Sequence, residues 1–385
     1  MRSELFDDEH ESFRQSVREF VNREVTPNVE VWENQGRIDA KVWKVAAEQG
    51  LIGLGVPEEY GGGGSPDYRF RCVIMDEIAR AGAAAVGVAL GGFDDLIAPY
   101  LVDLGTEEQK ERWLPALCRG EKAAAIAMTE PGAGSDLRGI RSSAVRDGDD
   151  WVLNGSKTFI TGGARADVII VVARTDPQAR TSGAFSLLVV ESGMSGFTRG
   201  RELDKLGQRG EDVSELFFDG VRVPAANLLG TQGAGFRHLM EHLPRERMSI
   251  AYYGLAAAEA AMAWTVEYVQ GRHAFGQPVA QFQNTKFTLA EIATEIDVTR
   301  AFIDRAVLAL NAGTLSATDA AKAKWWASEL QQRVVDRCLQ LHGGYGYMRE
   351  YPIARAFVDA RVQTIYGGTT EIMKEIIGRD IVGAP

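Results

Sequence analysis

The hydrophobic period of this chain changes twice, and those two changes constrain its fold more than any single motif. From Leu5 to about Arg119 apolar residues recur every three or four positions, with Phe13, Val17, Phe20 and Val21 on one helical face. After Lys122 the texture becomes short β-rich runs, "DDWVLNGSKTFIT", "ADVIIVVART", "AFSLLVVES" and "SELFFDGVRV". Beyond about Gly233 strand signals vanish and long alanine-rich stretches such as "RMSIAYYGLAAAEAAMAWTVEYV" restore the helical period. The order helix, sheet, helix predicts an α+β protein with an N-terminal helical domain (1–121), a central antiparallel β domain (122–232) and a C-terminal helical bundle (233–385).

Local signals refine that outline. Asp7 and Asp8 stand where an N-cap belongs, and Thr106 with Gln109 forms a candidate capping box. Asn154-Gly155 reads as a hairpin turn, as does the acidic run "RDGDD" at 146–150, which lacks the remaining positions of a calcium loop. "YGGGGSPD" reads as a loop between helices.

The chain has 385 residues and a net charge of −11, which disfavours broad binding to nucleic acid or anionic membranes. Its three cysteines lack metal or redox spacing, so a reducing compartment is expected. Five acidic residues before Phe13 do not suit a transit peptide, and the longest apolar runs in this reading, "AAAIAM" and "DVIIVVA", are too short to span a bilayer. A cytoplasmic protein is the expectation.

Several motifs point nowhere by themselves. "PGAGSDLRG" and "GTQGAGFRH" miss the third glycine of a dinucleotide loop and lack its βαβ setting. His238, Glu241 and His242 fall on adjacent helical turns, but two histidines at this spacing more often sit on a solvated face than on a metal. No metal is expected.

Four passages in order, "AMTEPGAGSD", "WVLNGSKTFITGG", "GRHAFGQPVAQFQ" and "LQLHGGYGYMREYPIARAFVDARVQTIYGGTTEIMKEIIGRD", together resemble the acyl-CoA dehydrogenases over essentially the whole chain. The resemblance implies a C-terminal four-helix bundle, FAD as cofactor, and loss of an α-proton to a carboxylate with a β-hydride to the flavin, giving a trans-2-enoyl-CoA. Electrons would pass to an electron-transferring flavoprotein, and the assembly would be a homotetramer working in fatty-acid oxidation. Met128, Thr129 and Ser135 match the segment beside the flavin, with Ser135 also near substrate, and Phe159 and Thr161 match the segment against the isoalloxazine ring, where tryptophan is commoner than Phe159. Arg272, Phe275 and Gln283 match contacts to a neighbouring subunit's FAD, an arginine suiting a pyrophosphate. Gln340 and Gly344 match contacts to its adenosine diphosphate portion, and Thr369 and Glu371 match contacts within "GGTTEI". Singly, each polar residue reads equally well as a cap or a turn.

One position departs from the commoner pattern. Many members carry the catalytic glutamate where this chain has Gly367, whereas the long-chain and isovaleryl branches place it in an "ER" segment of the helix after the β domain. Here that segment is "HLPRERMSIA", so the resemblance implies Glu246 as base, Gly367 as backbone donor to the thioester oxygen, and Arg247 near the CoA portion. Left alone, Glu246 would read as a solvated helix charge paired with Arg245 or Arg247. Glu371 as base or an inactive enzyme are the alternatives for the vacancy. An oxidase or monooxygenase on this scaffold, or a nucleic-acid-associated flavoprotein, are the alternatives for the function.

Overall fold

The computed structural model describes residues 4–176, 178–179 and 182–383. The first helices are α1 (Asp8–Phe20), α2 (Val29–Gln35), α3 (Lys41–Glu48), α4 (Tyr68–Arg80), α5 (Ala84–Gly91), α6 (Ala98–Leu104) and α7 (Glu107–Cys118). Asp7 caps α1, its carboxylate accepting from Glu9 and His10 N–H. Thr106 and Gln109 form the reciprocal capping box of α7. Between α5 and α6 the chain widens into a π-helical segment, Gly92–Ile97.

That join makes 84–104 one helical run of 21 residues containing an 18-residue window of mean hydropathy 1.4, long and apolar enough by length and composition to cross a membrane. It is longer than the uninterrupted apolar runs on which the expectation of no span rests; Asp94 and Asp95 break it in sequence. Its core position explains the composition: 61% of that 18-residue window is buried within the protein, including Asp94 and Asp95.

The strands of the middle layer are β1 (Ala124–Ala127), β2 (Ser143–Asp147), β3 (Asp150–Thr161), β4 (Val168–Arg174), β5 (Phe185–Glu191), β6 (Phe197–Glu202), β7 (Val213–Pro224) and β8 (Leu228–Leu229). They form one sheet in the order β6-β7-β3-β2-β4-β5-β8, with β1 against β4. Most pairs are antiparallel, but β1 runs parallel to β4, and β2 meets β4 in parallel at Ser143 and Arg174. β4 and β5 are buried along almost their whole length, on both faces, between helices on one side and the β3–β7 layer on the other.

The "RDGDD" turn joins β2 to β3, pairing Asp147 with Asp150 around Gly148. Asn154-Gly155 is not a turn. It lies inside β3 at a register shift against β7, where a side chain at 155 would come within 2.2 Å of Ser142 Oγ. Glycine there admits close approach of the neighbouring segment, the other use of glycine in a strand.

The last third holds α8 (Gly235–Gly271), α9 (Gln283–Asn311), α10 (Ala317–His342), α11 (Pro352–Ala360) and α12 (Thr370–Val382). α8 is central. Its small residues, from Ala251 to Ala261, pack among α4, α9 and α10 in the same core as the N-terminal helices.

Candidate active site

Lys157 and Ile160 both turn inward on β3, so the strand's alternation breaks between them and a bulge forms. Phe159 is thereby thrown outward, 67% exposed, in the left-handed region at φ 58°. A bulky residue there stores on the order of 1–3 kcal/mol of strain and persists only where its surroundings fix it. Here they do. Lys157 Nζ donates to Met128 O and to Glu130 Oε1, each at 2.9 Å, and Thr158 N–H donates to Thr129 O at 2.9 Å. Glu130 also accepts from the Arg141 and Ser142 N–H groups. Met128 and Thr129 are thus held against the C-terminal end of β3, which carries Phe159 and Thr161, with the aromatic face of Phe159 uncovered. A flat isoalloxazine ring fits that platform. Ser135 lies exposed beyond the turn in which Glu130 and Ala133 bond to each other.

Arg272, Phe275 and Gln283 are exposed, Phe275 at 97% and with φ 50°. Gln340 and Gly344 are exposed as well. The Arg272 guanidinium lies 5.7 Å from the Tyr345 ring, bringing the two segments to one surface. Thr369 caps α12 and Glu371 sits in its first turn, both lining an open cavity of about 420 Å³ with Arg333 and Arg361. The cap role of Thr369 coexists with that position.

Glu246 is not a solvated helix charge. It is 4% exposed, and its Oε1 accepts the Tyr100 hydroxyl at 2.9 Å. Burial pushes its carboxyl up to about 7, opposed by the Tyr100 hydrogen bond and by His242 and Arg247, and reinforced by Asp95. The Tyr100 ring stacks on His242 with centroids 4.2 Å apart. His242 in turn bonds Asp103 at 3.1 Å through Nε2 and the His238 carbonyl through Nδ1. The His242 ring therefore serves a carboxylate and a carbonyl, the His238 ring lies 3.4 Å from Glu241 Oε2, and no metal-ligand cluster exists among the described residues.

Arg247 is buried beside it, and its Nε lies 3.4 Å from Gly367 O. Gly367 and Gly368 both have positive φ, 64° and 100°. The space next to Gly367 is already filled: a Cβ there would lie 2.3 Å from Ile250 Cδ1. On the far side, Lys324 of α10 is fully buried and donates from Nζ to Gly368 O at 2.6 Å. Burial, then the charge of Arg247, pulls its ammonium down to about 7. Two cationic side chains hold the two loop carbonyls.

Sequence reasoning overlooked Tyr100, Lys324 and Ile250. Lys324 had a legible signal, since Ala320, Ala327 and Gln331 share its buried face at helical spacing. A lysine on such a face needs a partner.

Three family models match in order, the N-terminal (7–121), middle (125–221) and C-terminal (233–382) domains of acyl-CoA dehydrogenases. A long-chain specific acyl-CoA dehydrogenase, mitochondrial, from Sus scrofa is 48% identical over 379 residues, covering 98% of this chain and 87% of that one. An acyl-CoA dehydrogenase structure from Geobacillus kaustophilus superposes with a TM-score of 0.96 at 46% identity, covering 99% of this chain and all of that one. An acyl-CoA dehydrogenase from Bacillus anthracis, solved with FAD, gives 0.92 at 32% identity, over all of this chain and 68% of that one.

Proposed function

This chain belongs to the acyl-CoA dehydrogenase family, and on that premise we propose that Glu246 is the base that removes the α-proton of a saturated acyl-CoA. The protein is an FAD-dependent oxidoreductase, and neither the oxidase nor the nucleic-acid alternative is favoured by its relatives. When bound, FAD supplies the acceptor for the hydride that leaves the β-carbon.

One observation carries the assignment: a carboxyl buried to 4% exposure, poised near neutrality, next to the Gly367 loop. Tyr100 occupies Oε1, which leaves Oε2 to take the proton. A base poised near the working pH serves proton transfer best. The Gly367 amide polarises the thioester oxygen while Arg247 and Lys324 engage the loop carbonyls, so the α-carbon is acidified as the proton departs. The electron pair of the broken C–H bond becomes the new Cα=Cβ bond.

Further elements of the reading are a homotetramer, an electron-transferring flavoprotein as acceptor, a role in fatty-acid oxidation, and a cytoplasmic location. The exposed Arg272, Phe275, Gln283, Gln340 and Gly344 support the first, because they suit a neighbouring subunit's cofactor better than water. Three buried, unpaired cysteines support a reducing compartment. The deciding experiment is anaerobic: saturated acyl-CoAs from short through branched to long are added to wild type and Glu246→Gln, and flavin bleaching is recorded. Bleaching of the variant at the wild-type rate removes Glu246 from the role.

A further inference from the structure

Most buried charges in this protein are well supplied with partners. Glu130 accepts from Lys157 and two backbone N–H groups, and Glu33 accepts from the N–H groups of Arg209 and Gly210. Single orphaned atoms occur elsewhere, Asp76 Oδ1 among them, but one neighbourhood gathers several. Where α4, the π-helical segment 92–97 and α8 converge, five buried polar atoms have no partner: Tyr68 Oη, Arg71 Nη1, Asp94 Oδ2, Asp95 Oδ1 and Arg245 Nε.

These atoms belong to one cluster. Arg71 Nε donates to Asp95 Oδ2 at 3.0 Å, and the Ser249 hydroxyl donates to the same oxygen at 2.5 Å. Asp94 Oδ1 accepts the Leu54 N–H at 2.9 Å. The Arg245 guanidinium lies 5.2 Å from the Tyr68 ring centroid. Gly91 backs the group, since a side chain there would lie 2.7 Å from Arg71 Nη2. Arg71, Asp94, Asp95 and Tyr68 are all at least nine-tenths buried. Leaving that many polar atoms unsatisfied is costly, so the cluster is built to be completed by something that enters.

Its position says what enters. Ser249 follows Glu246 by three residues on α8, a rise of about 4.5 Å along the same side of the helix. Ile250, one residue further, faces Gly367 instead. The cluster therefore lies about one helical turn beyond the base, and the charge of Asp95 reaches Glu246. A π-helical widening, often found at functional sites, lets both Asp94 and Asp95 face inward.

We propose that this cluster forms a polar end to the acyl site and takes a saturated acyl chain bearing a neutral hydroxyl group a few bonds beyond the β-carbon. The inference rests on the acyl-CoA dehydrogenase reading and deepens it. A hydroxyl is the group that matches, because it donates to a free carboxylate oxygen of Asp94 or Asp95 and accepts from Arg71 Nη1. A carboxylate would meet two aspartates, and an ammonium would meet two arginines. The paired Arg71 and Asp95 leave little net charge to attract either ion.

The test compares octanoyl-CoA with its 5-, 6- and 7-hydroxy derivatives as anaerobic reductants of the flavin in the FAD-loaded full-length protein. At least one hydroxy derivative is expected to reduce it with at least tenfold greater efficiency than octanoyl-CoA. Asp94→Asn, which keeps the side-chain volume, is expected to cut that preference below about threefold while octanoyl-CoA still reduces the flavin. Octanoyl-CoA performing as well as every derivative in wild type overturns the inference, leaves the dehydrogenase reading standing, and assigns the five atoms to bound water. A preference that Asp94→Asn does not change also overturns it. Failure of all four compounds, with longer and shorter chains failing too, overturns both readings.

Discussion

The Tyr100 hydroxyl donates to Glu246 Oε1 at 2.9 Å across the join between the N-terminal helices and α8. The bond favours the ionised carboxylate and partly offsets the burial that raises its pKa. Tyr100→Phe removes it. A hydrogen bond to a charged group contributes about 1.5–3 kcal/mol, so the carboxyl should move up by roughly one to two pH units. In wild type, kcat/KM is expected to rise with pH through about 7 as Glu246 ionises. In Tyr100→Phe that limb should shift by the same roughly one to two pH units to higher pH, with the plateau reached only above its new midpoint of about 8–9. An unshifted limb would detach Tyr100 from the base.

A buried acid with a raised pKa also bears on stability. Below its ordinary value of 4.5 both folded and unfolded chains hold the proton and the effect is absent. From there to about 7 the folded state keeps a proton the unfolded state has lost, so stability falls as pH rises. Above about 7 the full loss remains, on the order of 3 kcal/mol. Glu246→Gln should therefore raise the melting temperature of the holoprotein at pH 8 and change it far less at pH 5. Equal shifts at both pH values would place the gain elsewhere.

Lys324 holds the Gly368 carbonyl from inside the core. Lys324→Met leaves that carbonyl without its charged donor, a loss of about 1–3 kcal/mol. Stopped-flow reduction by the best acyl-CoA should slow at least tenfold, with FAD content unchanged. A variant that reduces at the wild-type rate would make the lysine merely a core residue.

Phe159 is strained and exposed, yet clasped from behind by the Lys157 and Thr158 bonds. Phe159→Ala should weaken FAD retention several-fold, in line with roughly 0.5–1.5 kcal/mol for an aromatic pair. Phe159→Trp should preserve it. Dialysis followed by flavin absorbance measures both, and equal retention in all three proteins would remove Phe159 from the flavin site.

The layered order of helix, sheet and helix was legible because each layer repeats its period for many residues. Bulges were not. Asn154-Gly155 carries the signal of a hairpin, but the neighbouring strand uses that glycine for close approach to Ser142, and tertiary packing overrides the local preference. The candidate site was legible where a motif carried it, as at "RER" and "YGGTTEI". The partners that tune it were not, because Tyr100, Lys324 and Ile250 come from three different helices and meet only in the fold.

The Gly367 and Ile250 pair restricts where an acid can be placed. Any side chain installed at 367 must first displace the isoleucine methyl group 2.3 Å away and also accept a left-handed backbone. A carboxylate placed on the loop at 367 therefore requires Ile250 to turn away as well as a strained backbone, so helix and loop are coupled at this point. Ile250 sits one helical turn beyond Glu246 on α8, so the helix that carries the buried acid also carries the side chain that keeps the loop free of one.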